Sequence, residues 1–386
     1  MNVLIVTDFR AYSYNNSLYL GTQFSTIAKR YKEAFGEISL CLRIYTAEKI
    51  PAGFEYAEKY VREYYAVGEL LDSFKTPYKK KVEKMILECD LMVVRCPAMI
   101  GITAARIAKK IGKPYLSELM GDAWDGYWNH GGIVGKIAAP FLLYATKCIV
   151  KNGNYALYVT KEWLQKRYPC PGLTESASNV LITNLDESSL DNKRGLLANF
   201  NDKVLTITTT AAVNVRHKGH EYMIKAIPIL NKKGVRVHYK LIGGGDQSYL
   251  SELAHKLGVQ NQVEFVGRQS LEEIFKILDD TDIYVQPSLQ EGLPRSVIEA
   301  MSRACLVIGS RTAGTPEIVE ADCVVERKST SDIVEKILYL RTLTHAERMA
   351  MSKRNFARSK DFLADVLDER RNKFYDAIKK DIKKHV

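Results

Sequence analysis

The chain has 386 residues, more than one hydrophobic core usually supports, so its length predicts two domains. Hydrophobic residues make up 46% and charged residues 26%, and no uninterrupted apolar run reaches the roughly 18 residues that a membrane span needs. A net charge of +11 favours acidic partners such as nucleotide phosphates or anionic lipid. The seven scattered cysteines form no Cys-x-x-Cys pair, which predicts reduced thiols in a cytoplasmic protein and argues against a zinc site.

Basic residues are concentrated at 79–84, at 109–113 and along the last 35 residues. These clusters are typical of solvated helix faces, and the alternative is a footprint on an anionic membrane surface. Nucleic acid is not an expected partner, because no recognised binding motif is present. The most apolar stretch, residues 137–150, is short and interrupted by Lys147, so it predicts a buried helix rather than one at a membrane interface.

The first half of the chain alternates apolar strand patterns with helical patterns. Residues 2–7 predict a fully buried parallel strand, with no signal-peptide pattern ahead of it, and helical periodicity follows over 20–35. The alternation predicts a doubly wound α/β domain over residues 1–190. Its further elements are strands at 38–45, 91–95, 114–118, 155–159 and 180–183, and helices near 75–88 and 100–111.

A second series of the same kind begins after a polar, weakly periodic stretch at 191–201, which predicts an interdomain linker. The second domain is predicted over 202–362 as another Rossmann-like α/β unit. Its strands are expected at 203–208, 235–242, 263–266, 282–285 and 306–308.

The most informative stretch is Glu291-Gly-Leu-Pro-Arg-Ser-Val-Ile-Glu299, where two carboxylates bracket the predicted start of a helix. Pro294 suits the first helical turn, because its missing N–H leaves no hydrogen bond unmade. The N–H groups of residues 293–297 would then face outward at the positive end of the helix dipole, a site for a diphosphate. The two carboxylates can accept hydrogen bonds from ribose or hexose hydroxyls, which indicates a sugar attached to a nucleoside diphosphate. On spacing alone, a solvated pair of surface glutamates is the alternative.

This stretch resembles the Glu-x7-Glu signature of retaining glycosyltransferases of the GT-B fold, especially glycosyltransferase family 4. The resemblance extends through Gly243-Gly-Gly-Asp246, Val263-Glu-Phe-Val-Gly267 and Ala313-Gly-Thr-Pro-Glu317, and it covers most of residues 203–335. It implies two Rossmann-like domains facing across a cleft, with a C-terminal helix at about 363–386 that crosses back to the first domain. It also implies metal-independent, retaining transfer from a nucleoside-diphosphate sugar, without a cofactor.

The resemblance also implies roles for single residues. Lys218, in Arg216-His-Lys-Gly-His220, matches a lysine that contacts the diphosphate, Glu291 matches a contact to the donor sugar, and Glu299 matches the ribose ligand. Relatives usually carry an arginine where Val213 stands, and Arg216 is the candidate substitute, since its planar fork binds phosphate oxygens in pairs. A surface lysine opening a helix is the alternative for Lys218. The other donor-binding candidates are Gly244, Arg268, Gly292, Leu293, Pro294 and Ser296.

The acceptor side is indicated by Gly121-Asp-Ala-Trp-Asp-Gly-Tyr-Trp-Asn-His130, which is dense in polar and aromatic groups after a predicted strand end. Asp122 and Asp125 are candidates for binding acceptor hydroxyls. His130 is a catalytic candidate, because this stretch resembles a family loop that often carries a functional histidine. A loop with aromatic anchors is the alternative. The Gly-Gly pair that relatives carry after the first strand is missing, and a loop over residues 8–22 is predicted in its place.

The leading hypothesis is a cytoplasmic retaining glycosyltransferase that uses a glycan or lipid-linked acceptor, at or near the inner face of the membrane, to build a cell-surface polysaccharide or glycolipid such as capsule or lipopolysaccharide. A sugar-nucleotide epimerase of the same shape and a non-catalytic nucleotide-sugar-binding protein are the alternatives. A basic nucleic-acid-binding protein is a fourth hypothesis, which predicts strongly salt-dependent binding to random oligonucleotide.

Overall fold

The computed structural model describes residues 1–130 and 132–384, and the side chain of His130 is not among the described groups. The chain divides into two compact units. Unit 1 comprises residues 1–177 together with the C-terminal segment from residue 369, and unit 2 comprises residues 178–368.

Unit 1 is built on a nine-stranded sheet whose central strands are parallel. The strands are β1 Asn2–Tyr14, β2 Ser17–Gly21, β3 Glu37–Thr46, β4 Phe54–Tyr56, β5 Glu63–Val67, β6 Leu91–Cys96, β7 Tyr115–Leu119, β8 Tyr155–Tyr158 and β9 Leu173–Ser176. The helices are α1 Thr22–Phe35, α2 Thr76–Glu88, α3 Met99–Lys110, α4 Ala123–His130, α5 Gly132–Lys151 and α6 Trp163–Arg167. The parallel strands follow the order β5-β3-β1-β6-β7-β8-β9. This order is that of a doubly wound α/β unit, as predicted.

The first strand is longer than predicted. The apolar run Val3–Val6 is fully buried between neighbouring strands, but β1 continues to Tyr14 and turns back into β2 as an antiparallel hairpin. Asn15 and Asn16 form the two-residue turn with positive φ angles of 49° and 60°, which asparagine tolerates. The prediction of a loop over 8–22 is therefore wrong. The pairing of β1 with β2 is local, and the end of β1 also pairs in parallel with the end of β3.

Strand prediction also failed at residues 180–183. Ile182 makes one isolated bridge to Leu363, and the edge of the sheet is β9 instead. The sequence of β9, Leu-Thr-Glu-Ser, is half polar and partly exposed, so it carries no apolar signal of a strand.

Helix α5 is not the buried helix that the sequence predicts. Its inner side packs into the core of unit 1 through Leu142, Ala145 and Ile149. Its opposite side is exposed, with Ile137 showing 74% of its surface to solvent. The composition shows that the helix is apolar, but it does not show that only one side of the helix packs against the rest of unit 1.

Unit 2 holds a six-stranded, fully parallel sheet of order β12-β11-β10-β13-β14-β15. Its strands are β10 Leu205–Thr210, β11 Val237–Ile242, β12 Val263–Gly267, β13 Ile283–Gln286, β14 Leu306–Ser310 and β15 Val324–Val325. Its helices are α7 Ser188–Ala198, α8 His220–Lys232, α9 Ser248–Lys256, α10 Leu271–Asp279, α11 Arg295–Ser302, α12 Thr315–Ile318, α13 Thr330–Thr342 and α14 His345–Ser359. The strand order reverses between β10 and β13, and such switch points place ligands at the carboxyl ends of the strands.

The stretch predicted as a linker, residues 191–201, lies mostly in helix α7 of unit 2. The buried Lys193 ammonium donates to the carbonyl oxygens of Leu278, Asp279 and Thr281 at 2.6, 2.9 and 2.5 Å. A lysine among the buried residues of this helix weakens the apolar periodicity, which explains why the segment reads as a linker.

The last helix, α15 Ala364–Lys384, begins in unit 2, and from Glu369 onward it belongs to unit 1. The Tyr375 ring packs 5.5 Å from that of Tyr31 and 5.1 Å from that of Phe35. The Tyr155 hydroxyl donates to Asp381 at 2.8 Å. The predicted return of the C-terminal helix to the first domain is confirmed.

Candidate functional site

The Glu291 carboxylate is the centre of a polar cluster at the carboxyl end of β13. Its Oε1 atom accepts hydrogen bonds from the Lys218 ammonium at 2.8 Å, from Gln286 Nε2 at 2.9 Å and from the Ser288 hydroxyl at 2.7 Å. Three donors on one oxygen fix the side chain, and none of these three bonds uses Oε2. Glu291 and Lys218 are mostly covered, with 11% and 25% of their side chains exposed. The arrangement holds a carboxylate and an ammonium side by side at the switch point of the sheet.

Gln286 orients this cluster, and the sequence-based assignment of site residues missed it. It is almost fully buried at the end of β13, and its Oε1 accepts from the Tyr284 hydroxyl at 2.7 Å and from the Ser296 hydroxyl at 3.1 Å. Because both the oxygen and the nitrogen of its amide are hydrogen-bonded, Gln286 cannot rotate away from Glu291. The sequence did carry a signal, which was the Gln286 amide at the end of an otherwise apolar strand and the Ser288 hydroxyl just after it. Buried polar groups need hydrogen-bond partners, so these two side chains indicated a polar cluster.

The turn that carries Lys218 is held against the end of β13. Arg216–Lys218 form one 3-10 turn, and Gly219 follows it with a φ of 72°. A Cβ at Gly219 would lie 2.0 Å from the Pro287 carbonyl oxygen, so no larger residue fits. The Leu289 N–H donates to the His217 carbonyl at 2.7 Å and joins the two loops. These contacts place Lys218 beside Glu291.

Helix α11 starts one residue later than predicted. Pro294 is the residue before the helix, with an extended ψ of 109°, and is not part of the first turn. The Val297 N–H donates to the Pro294 carbonyl at 3.2 Å, so it is not among the outward N–H groups that the sequence predicts over 293–297. The Gly292 carbonyl accepts from the Gly314 N–H at 2.8 Å, which ties the start of α12 to the loop of Glu291.

Glu299 lies inside α11 and is partly buried. Burial raises the pKa of its carboxyl above the usual value, and the positive charge of Arg295 acts in the opposite direction. Within the part of the chain that the structure describes, its carboxylate accepts no hydrogen bond. A desolvated carboxylate of this kind gains from the hydroxyl donors of a ligand.

The glycine-rich loop after β11 approaches the loop after β10 closely. A Cβ at Gly243, whose φ is 159°, would lie 2.1 Å from the Ala211 carbonyl oxygen, and one at Gly245 would lie 2.3 Å from Asn214 Oδ1. Gly244 accepts from the Val213 N–H at 3.1 Å, and the Arg268 side chain lies 3.7 Å from where its Cβ would be. Both loops therefore meet at the same edge of the sheet as Lys218.

Arg216, the candidate substitute for the usual diphosphate arginine, stacks its guanidinium on the Tyr249 ring at 3.0 Å from the centroid. The Tyr249 hydroxyl in turn donates to Glu221 at 2.6 Å. Val213 itself is buried. The structure brings together Lys218, Glu291 and Ser296 through Gln286, and it places Arg216 against Tyr249.

His220 is a buried histidine directly after the Lys218 turn. Its ring nitrogens lie 3.4 Å from the Tyr239 hydroxyl and 3.3 Å from the Ala212 carbonyl oxygen. Burial, with the nearby charge of Lys218, lowers its pKa to about 4. The imidazole is therefore neutral at physiological pH, and it supports the loop that carries Val213 and Asn214.

On unit 1, Asp122 and Asp125 lie at the start of α4 and are both buried. Asp122 accepts from the Tyr168 hydroxyl and, at 3.2 Å, from Arg167 Nε, and the Asp125 N–H donates to Asp122 Oδ2 at 3.3 Å. These contacts are those of a helix cap. The side chain of His130, the catalytic candidate of this stretch, lies outside the described groups.

Across residues 1–130 and 132–384, the structure places no group of three or more His, Cys, Asp or Glu side chains where it could hold a metal ion. The expected metal independence stays a prediction, for which chelation is the test.

Residues 199–358 match the family model described as Glycosyl transferases group 1. Protein CapJ of Staphylococcus aureus is 31% identical over 351 residues, which cover 87% of this chain and 85% of CapJ. The amylovoran biosynthesis glycosyltransferase AmsK of Erwinia amylovora is 34% identical over 110 residues, 27% of each protein. The crystal structure of HepE from Anabaena in complex with UDP aligns with 98% of this chain and 100% of HepE, at a TM-score of 0.68 and 16% identity.

Two doubly wound α/β units and a charged cluster at the switch point of the second define a glycosyltransferase of the GT-B fold. The chain belongs to the group 1 glycosyltransferases, as its similarity to CapJ over most of both proteins shows. The predicted fold and the predicted glycosyltransferase activity are confirmed. Membership of family 4, retention and metal independence stay predictions.

Proposed function

We propose that this protein transfers a sugar, with retention of anomeric configuration and without a metal ion, from a nucleoside-diphosphate sugar to a glycan or lipid-linked acceptor. The observation that carries this proposal is the contact of 2.8 Å between Lys218 Nζ and Glu291 Oε1 at the switch point of unit 2. A cation for the diphosphate and a carboxylate for the sugar hydroxyls lie next to each other there. The donor requires this arrangement, because its diphosphate and its sugar are directly bonded.

In this proposal Lys218, with the N–H groups at the start of α11, neutralises the diphosphate, where negative charge develops as the donor bond breaks. Glu291 accepts from sugar hydroxyls through Oε2, while Oε1 stays held by the protein. Glu299 accepts from the ribose. The bond from the anomeric carbon to the diphosphate breaks, the acceptor oxygen bonds to that carbon on the same face, and its proton passes to the departing diphosphate.

Residues placed around this centre have supporting roles in the proposal. Gly292, Leu293 and Pro294 form the loop that presents the start of α11. Gly244 and Arg268 lie together on the glycine-rich side and border the nucleoside. Arg216, stacked on Tyr249, reaches the diphosphate from the other loop.

On the acceptor side, Asp122 and Asp125 act by holding the start of α4, since both are buried in its cap. His130, at the end of that helix, is the proposed catalytic contact to the acceptor.

The biological product that we propose is a cell-surface polysaccharide or glycolipid assembled from cytoplasmic nucleotide sugars. CapJ is similar over most of its length, and AmsK bears the name of a polysaccharide that it helps to make, which supports this choice. All seven cysteines are free thiols, in accord with a reducing compartment.

The experiment is a thermal-shift screen of uridine, guanosine, adenosine and cytidine diphosphates and their sugar conjugates, with EDTA throughout. One nucleoside diphosphate is expected to raise the melting temperature, because a ligand that binds the folded state stabilises it by mass action. The matching sugar conjugate is then incubated with polysaccharide acceptor, and the anomer of the product is assigned by NMR. A product of retained configuration is expected.

Other outcomes contradict the proposal in separable ways. Stabilisation by none of the nucleotides would exclude the donor site. Epimerisation of the sugar on its nucleotide, without acceptor, would identify an epimerase. Activity that disappears with EDTA would exclude metal independence, and an inverted anomer would exclude retention.

A further inference from the structure

Helix α5 presents an apolar face to solvent. Four of the exposed positions, 133, 137, 141 and 144, recur every three or four residues and 134 adjoins the first, so all five lie on one side of the helix. They are Ile133, Val134, Ile137, Phe141 and Tyr144, with exposures of 79, 78, 74, 48 and 68%. We call these five residues the outer face of α5. Contiguous apolar surface of this kind marks an interaction site rather than chance exposure.

The helix is anchored to unit 1 along its other side. Leu142, Ala145 and Ile149 pack in the core cluster, and a Cβ at Gly135 would lie 2.4 Å from the Tyr127 carbonyl oxygen of α4. Among the described residues, α5 is the helix whose length and composition would suffice to cross a membrane. Because one side is packed against the sheet, the helix lies along the surface of unit 1 with its apolar outer face uncovered.

The surroundings of the outer face are cationic. Helix α5 carries Lys136, Lys147 and Lys151, the adjoining α3 carries Arg106, Lys109 and Lys110, and neither helix contains Asp or Glu. Two of these cations contact neutral groups: Lys109 Nζ donates to Asn152 Oδ1 at 2.6 Å, and Lys136 Nζ lies 5.8 Å from the centroid of the Trp128 ring. Basic residues beside a strip of isoleucine and aromatic side chains are typical of helices that lie in a membrane interface.

A small cavity of about 90 Å³ lies between α3 and α5. Its lining combines Phe141, Tyr144 and Ile149 with the cations Arg106 and Lys109. An apolar hollow with cations in its lining suits the phosphate and the first carbons of a phospholipid.

We propose that the outer face of α5 binds the surface of an anionic phospholipid bilayer. The apolar side chains enter the boundary between headgroups and acyl chains, and the basic residues of α3 and α5 contact lipid phosphates. A second copy of this chain fits less well, because a two-fold contact would bring the same cations on both copies together. The proposal does not depend on the proposed donor chemistry.

The test is flotation of the full chain with vesicles of phosphatidylcholine, with and without an equal amount of phosphatidylglycerol. Binding is expected to the anionic vesicles, and it should weaken as salt rises. The double variant Ile133→Glu, Ile137→Glu should lose at least about tenfold in vesicle affinity, since two exposed apolar side chains that would enter the bilayer become charged. Lys136→Glu with Lys147→Glu should lose the preference for anionic lipid.

The matched control is Leu271→Glu, which charges an exposed leucine at the start of α10 in unit 2 and should bind vesicles like the unmodified chain. A cooperative thermal unfolding transition at the melting temperature of the unmodified chain, measured by circular dichroism without any ligand, shows that each variant is folded. Unchanged vesicle binding by the α5 variant would overturn the proposal, as would no binding by the unmodified chain. A dimer in light scattering that the α5 variant splits, without vesicle binding, would assign the face to a second copy instead.

Discussion

Lys218 Nζ lies 2.8 Å from Glu291 Oε1, although 73 positions separate the two residues in the chain. The carboxylate shares the same oxygen with two neutral donors, Gln286 and Ser288. A diphosphate that binds here competes with Glu291 for the Lys218 ammonium. Gln286 and Ser288 then keep the Glu291 carboxylate hydrogen-bonded. The ion pair thus holds the Lys218 ammonium next to the position that we propose for the leaving diphosphate.

Replacement of that cation should affect turnover more than binding. Lys218→Ala is expected to lower kcat by about 100-fold, because a preorganised charge acts most strongly on charge that develops in the transition state. The dissociation constant of the donor, measured by calorimetry, should change by less than about tenfold. Lys225→Ala removes a lysine that is paired with Glu221 on α8, and it should retain normal kinetics. Equal losses in kcat and affinity would remove Lys218 from the mechanism.

Gln286 should act through Glu291 as a positioning residue. Gln286→Leu removes one donor to Glu291 and the acceptor of two hydroxyls, so we expect weaker affinity for the sugar conjugate with little change for the nucleoside diphosphate alone. The unsatisfied hydroxyls should also cost about 1–3 kcal/mol of stability. Thr208→Val is the control, since it breaks a buried bond to Thr281 without touching Glu291. A parallel loss of both affinities in Gln286→Leu would indicate general damage to the fold.

Glu299 should make nucleotide affinity pH-dependent. Burial raises the pKa of this carboxyl, so the ionised form, which binds hydroxyls more strongly, is lost as the pH falls through that raised value. Glu299→Gln should bind the nucleoside diphosphate more weakly at neutral pH, and the gap to the unmodified chain should close as the pH is lowered. Calorimetric titrations between pH 8 and pH 5 measure this gap. Glu272→Gln, on the surface of α10, controls for protonation of the nucleotide itself. A ratio of affinities that is constant with pH would exclude Glu299 as the ribose ligand.

His220 should make unit 2 less stable in mild acid. Its pKa is lowered to about 4 in the folded state, so the unfolded chain takes up the proton first, and stability falls as the pH drops from the usual histidine value of 6.5 towards 4. At pH 5 this group should cost about 2 kcal/mol, or about 4–8 °C in the melting temperature of a unit of this size. His220→Gln should lack this part of the change between pH 7 and pH 5, whatever its own stability.

The comparison variant for that experiment is His255→Gln, which replaces an exposed histidine on α9 and should keep the slope of the unmodified chain. Identical slopes for all three proteins would show that His220 does not carry the acid sensitivity.

Much of the architecture could be predicted from local patterns. Strands β10 to β14 of unit 2 were predicted close to their observed bounds. Among them, β13 and β14 are buried along their whole length, as apolar runs of this kind predict. The edge strand β9 and the helix α7 were not predicted, because each depends on pairing or burial with distant residues. The hairpin after Thr7 was also missed, although its pairing joins residues only three to nine positions apart. The motif residues Lys218, Glu291 and Glu299 were found through resemblance, whereas Gln286 belongs to no motif and emerged from its contacts.

By itself, the sequence determined that two α/β units form, that a glutamate pair flanks the start of a helix, and that residues 137–150 are apolar. These properties are periodic or contiguous, so neighbouring residues specify them. Tertiary structure alone decided that the Lys218 ammonium meets the Glu291 carboxylate, and that one side of α5 faces solvent. Both depend on packing between residues that are far apart in the chain. The sheet of unit 2 brings the loops of Lys218 and Glu291 together, and the core of unit 1 covers only one side of α5. A local sequence pattern contains neither relationship.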